Sequence, residues 1–421
     1  MRLWNSSITA RPAEIVRCGT NEQVSRVVQR ARAEGRPLSV LGGGHDWAGR
    51  AVREGGLVVD LSPMNRVAVS GDVALAGGGA TSLDVMEAAV TAGQSVVTGT
   101  VGSVGMAGLA LGGGYGPQLG SAGLACDLIV GAEVVLADGT VVQADAEREP
   151  DLFWALRGGG GNFGVVTELR LRLRPFSAAL AGAVLFSLDQ AEDVLGAWAE
   201  MAPTVPEELA VQLGVAALPD GTRVMAVMPT WVGEAAVGEA WVGRIEGWGK
   251  PMVSQVTRAP LTEPLRANEQ MFAADGRGWF LRQRNLPALT PEIIAVLVEA
   301  LAAAPSEHEG ISLHHFHGRA SRVAPEATAF GERRPHLMLE AITAWRGDDP
   351  QPHRQWAGDL HAALAPLALP GGYPNLLAAS DTEQIAAAWG PNVTRLQQVK
   401  QAYDPDGRFT GIPLPGRTPG D

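Results

Sequence analysis

Leu38-Ser39-Val40-Leu41-Gly42-Gly43-Gly44-His45 is the stretch from which the rest of this 421-residue chain can be read. Leu38 to Leu41 reads as a short buried strand, and it runs without a linker into a glycine triplet and a histidine. Consecutive glycines let successive backbone N–H groups converge on an anion, and let the backbone approach a flat ligand with no Cβ in the way. Two further clusters share this character: Gly112-Gly113-Gly114-Tyr115-Gly116, and Gly158 to Gly161 followed by Asn162-Phe163-Gly164. Clusters recurring within one region point to a bound ligand rather than to unconnected tight turns.

Outward from the triplet, helices alternate with strands. Thr20-x-x-Gln23 has the form of a capping box and opens a stripe of Val24, Val27, Val28 and Ala31, which Gly35 and Pro37 close. Leu57 to Leu61 reads as a strand, and Ser82 begins a helix carrying Val85, Ala89 and Val90 that Gly93 stops. Ala132 to Leu136 and Thr140 to Val142 form a hairpin turned at Asp138-Gly139, and Phe163 to Leu173 is a long strand. The composition shifts near Pro175. From about 178 to 370 the glycine clusters stop, and strands at 180–187, 210–217, 222–230, 310–317 and 336–344 alternate with amphipathic helices. One helix follows Thr290-Pro291-Glu292, and another carries Val194, Leu195, Trp198 and Met201. The expected fold class is α+β, with segments at 1–176, 177–372 and 373–421.

Composition narrows the function. With 46% hydrophobic and 19% charged residues the chain is a folded one, and its length predicts two to three domains. Lys and Arg total 33 against 45 Asp and Glu, a net charge of −12, which argues against a nucleic-acid or anionic-membrane partner. Cys18 and Cys126 cannot build a disulfide framework, and no metal-type cysteine spacing exists. Met1-Arg2-Leu3-Trp4-Asn5 lacks a signal-peptide apolar run, and no uninterrupted membrane-length apolar stretch follows, so a cytoplasmic protein is expected.

Gly159, Gly161 and Gly164 formally satisfy G-x-G-x-x-G, but a helix precedes them and a strand follows. That order is the reverse of a Rossmann fingerprint and offers phosphates no helix N-terminus. A Walker A pattern and a nucleophile elbow are also absent.

The glycine loop Ser39 to His45 resembles the pyrophosphate loop of flavoproteins of the vanillyl-alcohol-oxidase (PCMH-type) superfamily. Val96-Val97-Thr98-Gly99, the run Gly108 to Gly114, Gly123-Leu124-Ala125-Cys126-Asp127, Leu152 to Gly158 and the tail Asn392 to Phe409 are similar to its berberine-bridge-enzyme-like branch. The resemblance implies FAD held between a flavin domain (1–176) and a substrate domain with an antiparallel sheet (177–372), with 373–421 returning to the flavin domain. It implies cofactor contacts from Val40, Leu41, Gly42, Gly43, Gly44 and His45, from Thr98, Gly99, Ser103, Val104, Gly105, Gly108 and Leu109, and from Gly113, Gly114 and Tyr115. Gly161, Asn162, Gly164, Val166, Asn375 and Asn392 complete that set. A histidine at the place of His45 is bonded in the family to the flavin 8α carbon. The cysteine that makes a second link in many relatives aligns with Val101, so a single covalent bond is expected. Cys126 does not align with it and reads as a buried small residue. Leu109 replaces a polar histidine common in relatives.

The implied reaction passes a hydride from a substrate C–H to flavin N5. Val104 matches the position that admits oxygen in oxidases of the family. It favours an oxidase that yields hydrogen peroxide from a small alcohol, amine or secondary-metabolite substrate. A carbohydrate oxidase, or a flavoprotein of cyclase or isomerase type, is the alternative. Substrate-facing groups are expected from the long strands and from Tyr373-Pro374-Asn375, where Leu376 stands at a frequent second tyrosine. His315 and His317 share one face of their strand and His314 takes the other; His336, Met338, Glu340 and Ile342 share a face of the next. Glu340 is a charge on a buried strand and needs a partner or a purpose. The catalytic candidates are Tyr373, Glu340, His315, His317, Tyr115 and Val104. His315-x-His317 could be a metal pair, but no third ligand is evident and no metal is expected. The expected partners are a small molecule and dioxygen, with the chain a monomer or homodimer.

Overall fold

The computed structural model describes residues 3–176, 178–347 and 349–416. Strands β1 (Glu14–Arg17), β2 (Leu38–Leu41) and β3 (Leu57–Asp60) form a small parallel sheet in the order β1-β3-β2. Parallel pairing needs a crossover. The helix Asn21–Ala33 supplies it, opened by Thr20, whose side chain accepts from the Gln23 N–H, and burying Val24, Val27, Val28 and Ala31.

A second sheet is antiparallel. It contains β4 (Val67–Ser70) and β5 (Val73–Gly77); beyond the short β6 (Gln94–Ser95) come β7 (Ile129–Val135), β8 (Val141–Ala144) and β9 (Val165–Arg172). Its order is β4-β5-β9-β7-β8, and β6 pairs separately with β10 (Arg174–Pro175). The expected hairpin is the β7–β8 pair.

Past Pro175 the chain enters a different sheet. β11 (Ala179–Ser187), β12 (Leu209–Ala217), β13 (Arg223–Trp231), β14 (Val253–Ala259), β15 (Gly278–Leu286), β16 (Gly310–Phe316) and β17 (His336–Trp345) form a seven-stranded antiparallel sheet, ordered β14-β11-β13-β12-β16-β17-β15. Mixed helices and antiparallel sheets make this an α+β fold.

The two faces of the large sheet have separate tasks, because side chains alternate along each strand. Leu209, Val211 and Leu213, Ile311 and Leu313, and Leu337, Leu339 and Ala341 pack against the helices Ala191–Met201, Pro291–Ala302 and Gln351–Leu364. The opposite face carries Gln212, Ser312, His314, Met338, Glu340 and Ile342 toward the glycine loops. The C-terminal part returns to the first half: Trp389, Leu396, Val399, Ile412 and Leu414 share a core with the flanks of the second sheet. Lys400 secures this return. Its buried Nζ donates to the carbonyls of Asn162 and Phe409, both at 2.6 Å, and pairs with Asp404 at 2.5 Å. Among the described residues no helix is long and apolar enough to cross a membrane, and no group of His, Cys, Asp and Glu could hold a metal ion.

Candidate active site

A cavity of about 370 Å³ opens between the glycine loops and the polar face of the large sheet. Its cradle is made by two loops passing backbone on backbone. A Cβ on Gly43 would lie 2.2 Å from the Gly105 nitrogen, and a Cβ on Gly105 would lie 2.5 Å from the Gly43 nitrogen. Only glycine allows that approach. The N–H groups of Gly42, Gly43, Gly44 and His45 donate to no protein acceptor among the described residues, so they are available to an anion. Gly160, Gly161, Gly164 and Val166 form another wall, and Phe409 to Ile412 of the returning tail close it. Open backbone donors, an apolar trough and a glycine cradle suit the pyrophosphate and ring system of FAD.

His45 stands at the inner end of the first loop. Burial pushes its pKa down to about 4, so its imidazole is neutral at neutral pH. Its Nε2 lies 2.9 Å from Ser103 Oγ. Trp4 stacks on it with ring centroids 5.6 Å apart and planes at 18°, and Trp279 stacks on Trp4 at 4.5 Å. Val101 lines the same cavity and carries no sulfur; Cys126 is fully buried and does not line it.

Across the cavity, Glu340 projects from β17 between Met338 and Ile342. Loss of hydration pushes its carboxyl up to about 7. His314 lies beside it, Nε2 to Oε1 3.7 Å, and burial holds that imidazole down at about 4 and therefore neutral. Gln212 Nε2 donates to Ser312 Oγ at 2.9 Å, and that hydroxyl lies 3.2 Å from His314 Nε2. A polar row thus crosses the sheet floor, with one carboxyl and no cation to offset it.

The tyrosines form a second group. Tyr373 Oη accepts from the Gly114 N–H at 3.0 Å and from Asn375 Nδ2 at 2.8 Å. Burial raises its pKa, as it does that of Tyr115, so both phenols keep their protons. Their rings lie 4.7 Å apart. His336 Nδ1 donates to the Arg334 carbonyl at 2.7 Å, leaving Nε2 to accept from Tyr115 Oη at 2.9 Å.

The structure gathers most of the residues expected from sequence at this cavity. Val40, Gly42, Gly43, Gly44, His45, Gly99, Val104, Gly105, Gly108, Leu109, Tyr115, Gly161, Gly164, Val166, Glu340, Tyr373 and Asn375 line it. Others act from behind. Leu41 packs beneath the loop with Val52 and Val58, and Thr98 is buried with its hydroxyl on the Gly99 carbonyl. Ser103 holds His45, and the Gly113–Gly114 turn, at φ 127° and 90°, brings an N–H to Tyr373. Asn162 donates to the carbonyls of Gly159 and Ile412 and accepts from the Gly411 N–H, tying the tail to the third glycine cluster.

Three expectations differ. His315 and His317 lie on the helix side of the large sheet: His315 meets the edge of Trp198 at 5.2 Å, and His317 stacks on His315 at 4.1 Å. Their parity matches Ile311 and Leu313, whose apolar side chains belong under the helices, so of the three histidines at 314, 315 and 317 it is His314 that faces the cavity. Asn392 donates to the carbonyls of Pro325, Thr328 and Ala329 and does not line the cavity. Trp4, Gln212, Ser312 and His314 were not among the expected site residues. For the last three the strand alternation carried a signal; for Trp4 no local pattern did.

Residues 12–145 match the FAD binding domain family, and residues 373–411 match the family described as berberine and berberine like. The chain is similar to (R)-6-hydroxynicotine oxidase of Paenarthrobacter nicotinovorans, 31% identical over 97% of this chain and 92% of that protein. It is 28% identical to an uncharacterised FAD-linked oxidoreductase of Bacillus subtilis, over 96% of this chain and 91% of the other. Among solved structures, 6-hydroxy-D-nicotine oxidase from Arthrobacter nicotinovorans superposes with a TM-score of 0.86 at 29% identity, covering 97% of this chain and 93% of that one. Glucooligosaccharide oxidase from Acremonium strictum, described with 6-S-cysteinyl, 8α-N1-histidyl FAD, gives 0.86 at 25% identity, covering 99% and 94%. With its glycine cradle, its returning tail and its full-length similarity to these enzymes, the chain belongs to the berberine-bridge-enzyme-like family of FAD-linked oxidoreductases.

Proposed function

We propose that this oxidoreductase is an oxidase for small, largely apolar amines or alcohols, with FAD bonded through His45 alone and dioxygen as the final electron acceptor. When bound, FAD supplies the two-electron acceptor for a hydride from the substrate. The observation that carries the reading is Glu340, a carboxyl set among Met338, Ile342 and Leu281 on the cavity wall. With a pKa near 7 it is poised to take the proton of a hydroxyl or ammonium group as the adjacent C–H is oxidised. Tyr373, held protonated and accepting from Gly114 and Asn375, keeps its own O–H to donate to the substrate, while Tyr115, its O–H donating to His336, packs beside it as a wall of the cavity. Val104 on the cavity wall supports oxygen access, and Val101 supports a link through histidine only.

Oxygen uptake and peroxide release over a panel of amines, alcohols and sugars test this reading. Turnover of apolar amines or alcohols, abolished in E340Q, is the expected result; anaerobic substrate that leaves the flavin oxidised overturns it. The row Gln212, Ser312 and His314 favours a second reading, a carbohydrate oxidase, since its groups can hydrogen-bond several hydroxyls. In that case sugars turn over, and Q212L raises KM for them about tenfold or more, the loss of one to two hydrogen bonds.

A further inference from the structure

His45 is presented to the cavity in a way that distinguishes its two ring nitrogens. Nε2 is occupied by Ser103 Oγ at 2.9 Å, and neither Ser103 Oγ nor His45 Nδ1 makes another hydrogen bond among the described residues. Ser103 belongs to the segment that backs the glycine cradle, since its carbonyl oxygen would lie 2.9 Å from a Cβ on Gly43. The ring plane is fixed independently. Trp4 stacks on it at 18°, is itself stacked on Trp279, and donates its backbone N–H to the Gly44 carbonyl at 3.0 Å. One contact therefore fixes the edge of the imidazole and another fixes its face.

We infer that Ser103 is the positioning residue for covalent attachment of the flavin: it accepts the Nε2–H of neutral His45, so that the Nδ1 lone pair faces the cavity as the nucleophile. This rests on the proposed histidyl link. With the proton on Nε2, Nδ1 has no proton to lose before it attacks; with the opposite tautomer it would be a donor and inert. Burial supports the assignment by keeping the ring neutral at neutral pH. The chemistry balances. The Nδ1–C8α bond forms, one C8α–H bond breaks, and the Nε2 proton leaves by way of Ser103 Oγ. The two electrons released pass through the isoalloxazine to dioxygen, which takes up the two protons as hydrogen peroxide.

The experiment follows the acid-stable share of the bound flavin. Freshly purified wild-type protein, H45A, S103A, S103T and S103V are incubated with FAD in air. Total flavin is read by absorbance; attached flavin is read by fluorescence in denaturing gels and by intact mass, as one FAD less two hydrogens. Threonine and valine have nearly the same shape and differ in the hydroxyl. S103T is expected to keep the wild-type rate of attachment, while S103A and S103V bind flavin but attach it about 100-fold more slowly, the scale of a lost proton-transfer partner. Attachment in S103V as fast as in S103T overturns the role of Ser103 and leaves the histidyl link intact. Loss of total flavin in S103V and S103T alike, with the attached share of what remains unchanged, makes Ser103 a packing residue and also overturns it. Wild-type colour released entirely by acid removes the link, and with it the role of Ser103, without touching FAD use.

Discussion

Replacing Glu340 by glutamine separates the cost of its charge from its use. The carboxyl rises from an ordinary 4.5 to about 7 because burial removes its hydration, and Arg50, the guanidinium on the cavity wall, is paired with Asp46 at 2.7 Å. A folded-state pKa above the unfolded one means that the native protein binds the extra proton. The stability this gives is fully present below pH 4.5, falls as pH climbs toward 7, and is gone above it. At about 1.4 kcal/mol for each pH unit, the ionised side chain costs the fold roughly 3 kcal/mol, an order-of-magnitude figure. Urea unfolding of wild type and E340Q at pH 4.5 and pH 8.5 is the assay. The two proteins are expected to match at the lower pH, and E340Q is expected to be more stable by roughly 3 kcal/mol at the higher. Activity moves the opposite way. In wild type kcat/KM rises through about pH 7 as the base ionises, and E340Q loses roughly 100- to 10,000-fold and the pH limb with it. A stability difference equal at both pH values would refute the claim that Glu340 is an unpaired buried acid. A retained pH limb in E340Q would refute its role as the base.

Other perturbations test the frame around the site. G43A sets a Cβ 2.2 Å from the Gly105 nitrogen; it is expected to cost about 1–3 kcal/mol and to weaken FAD binding, read by thermal melting with and without added FAD. K400M leaves the fully buried Asp404 carboxylate without its cation, and should cost about 3–5 kcal/mol by urea unfolding while loosening the tail that walls the cavity. R333M removes the two-point contact of Arg333 with Asp127, at 2.9 and 2.7 Å, that ties the loop before β17 to the loop before β7. A similar loss is expected, with FAD affinity reduced less than in K400M.

The sequence was most readable where local rules and burial agree. The helix Asn21–Ala33 has both a cap and an apolar stripe, and the inner strands Arg223–Trp231 and His336–Trp345 are apolar on at least one face. β14 was missed because it is an edge strand that buries almost nothing, so Val-Ser-Gln-Val-Thr-Arg-Ala carries no hydrophobic alternation. β15 was missed for the opposite reason: Gln283 and Asn285 sit at inward positions next to the polar row, which breaks its pattern. At the site, His45 and the glycine loops were legible because backbone demands leave a mark in glycine spacing. Alternation put His315 and His317 on one face, and the company of Ile311 and Leu313 on that face indicates which way it turns. Trp4 was not legible: its contact with His45 depends on how a chain start, a loop and β15 come together in space.

The returning tail has a consequence for how the enzyme is made. Phe409 to Ile412 wall the cradle formed by residues 42–45 and 160–166, yet the ribosome produces them only after the whole seven-stranded sheet. Structure can form as a chain emerges during synthesis, but here this wall of the cavity cannot be in place while only the first half has emerged. The cradle is therefore completed late: a polypeptide that stops anywhere between β11 and the helix Val393–Tyr403 lacks the wall made by Phe409 to Ile412, and enclosure of the cofactor on that side waits for those four residues.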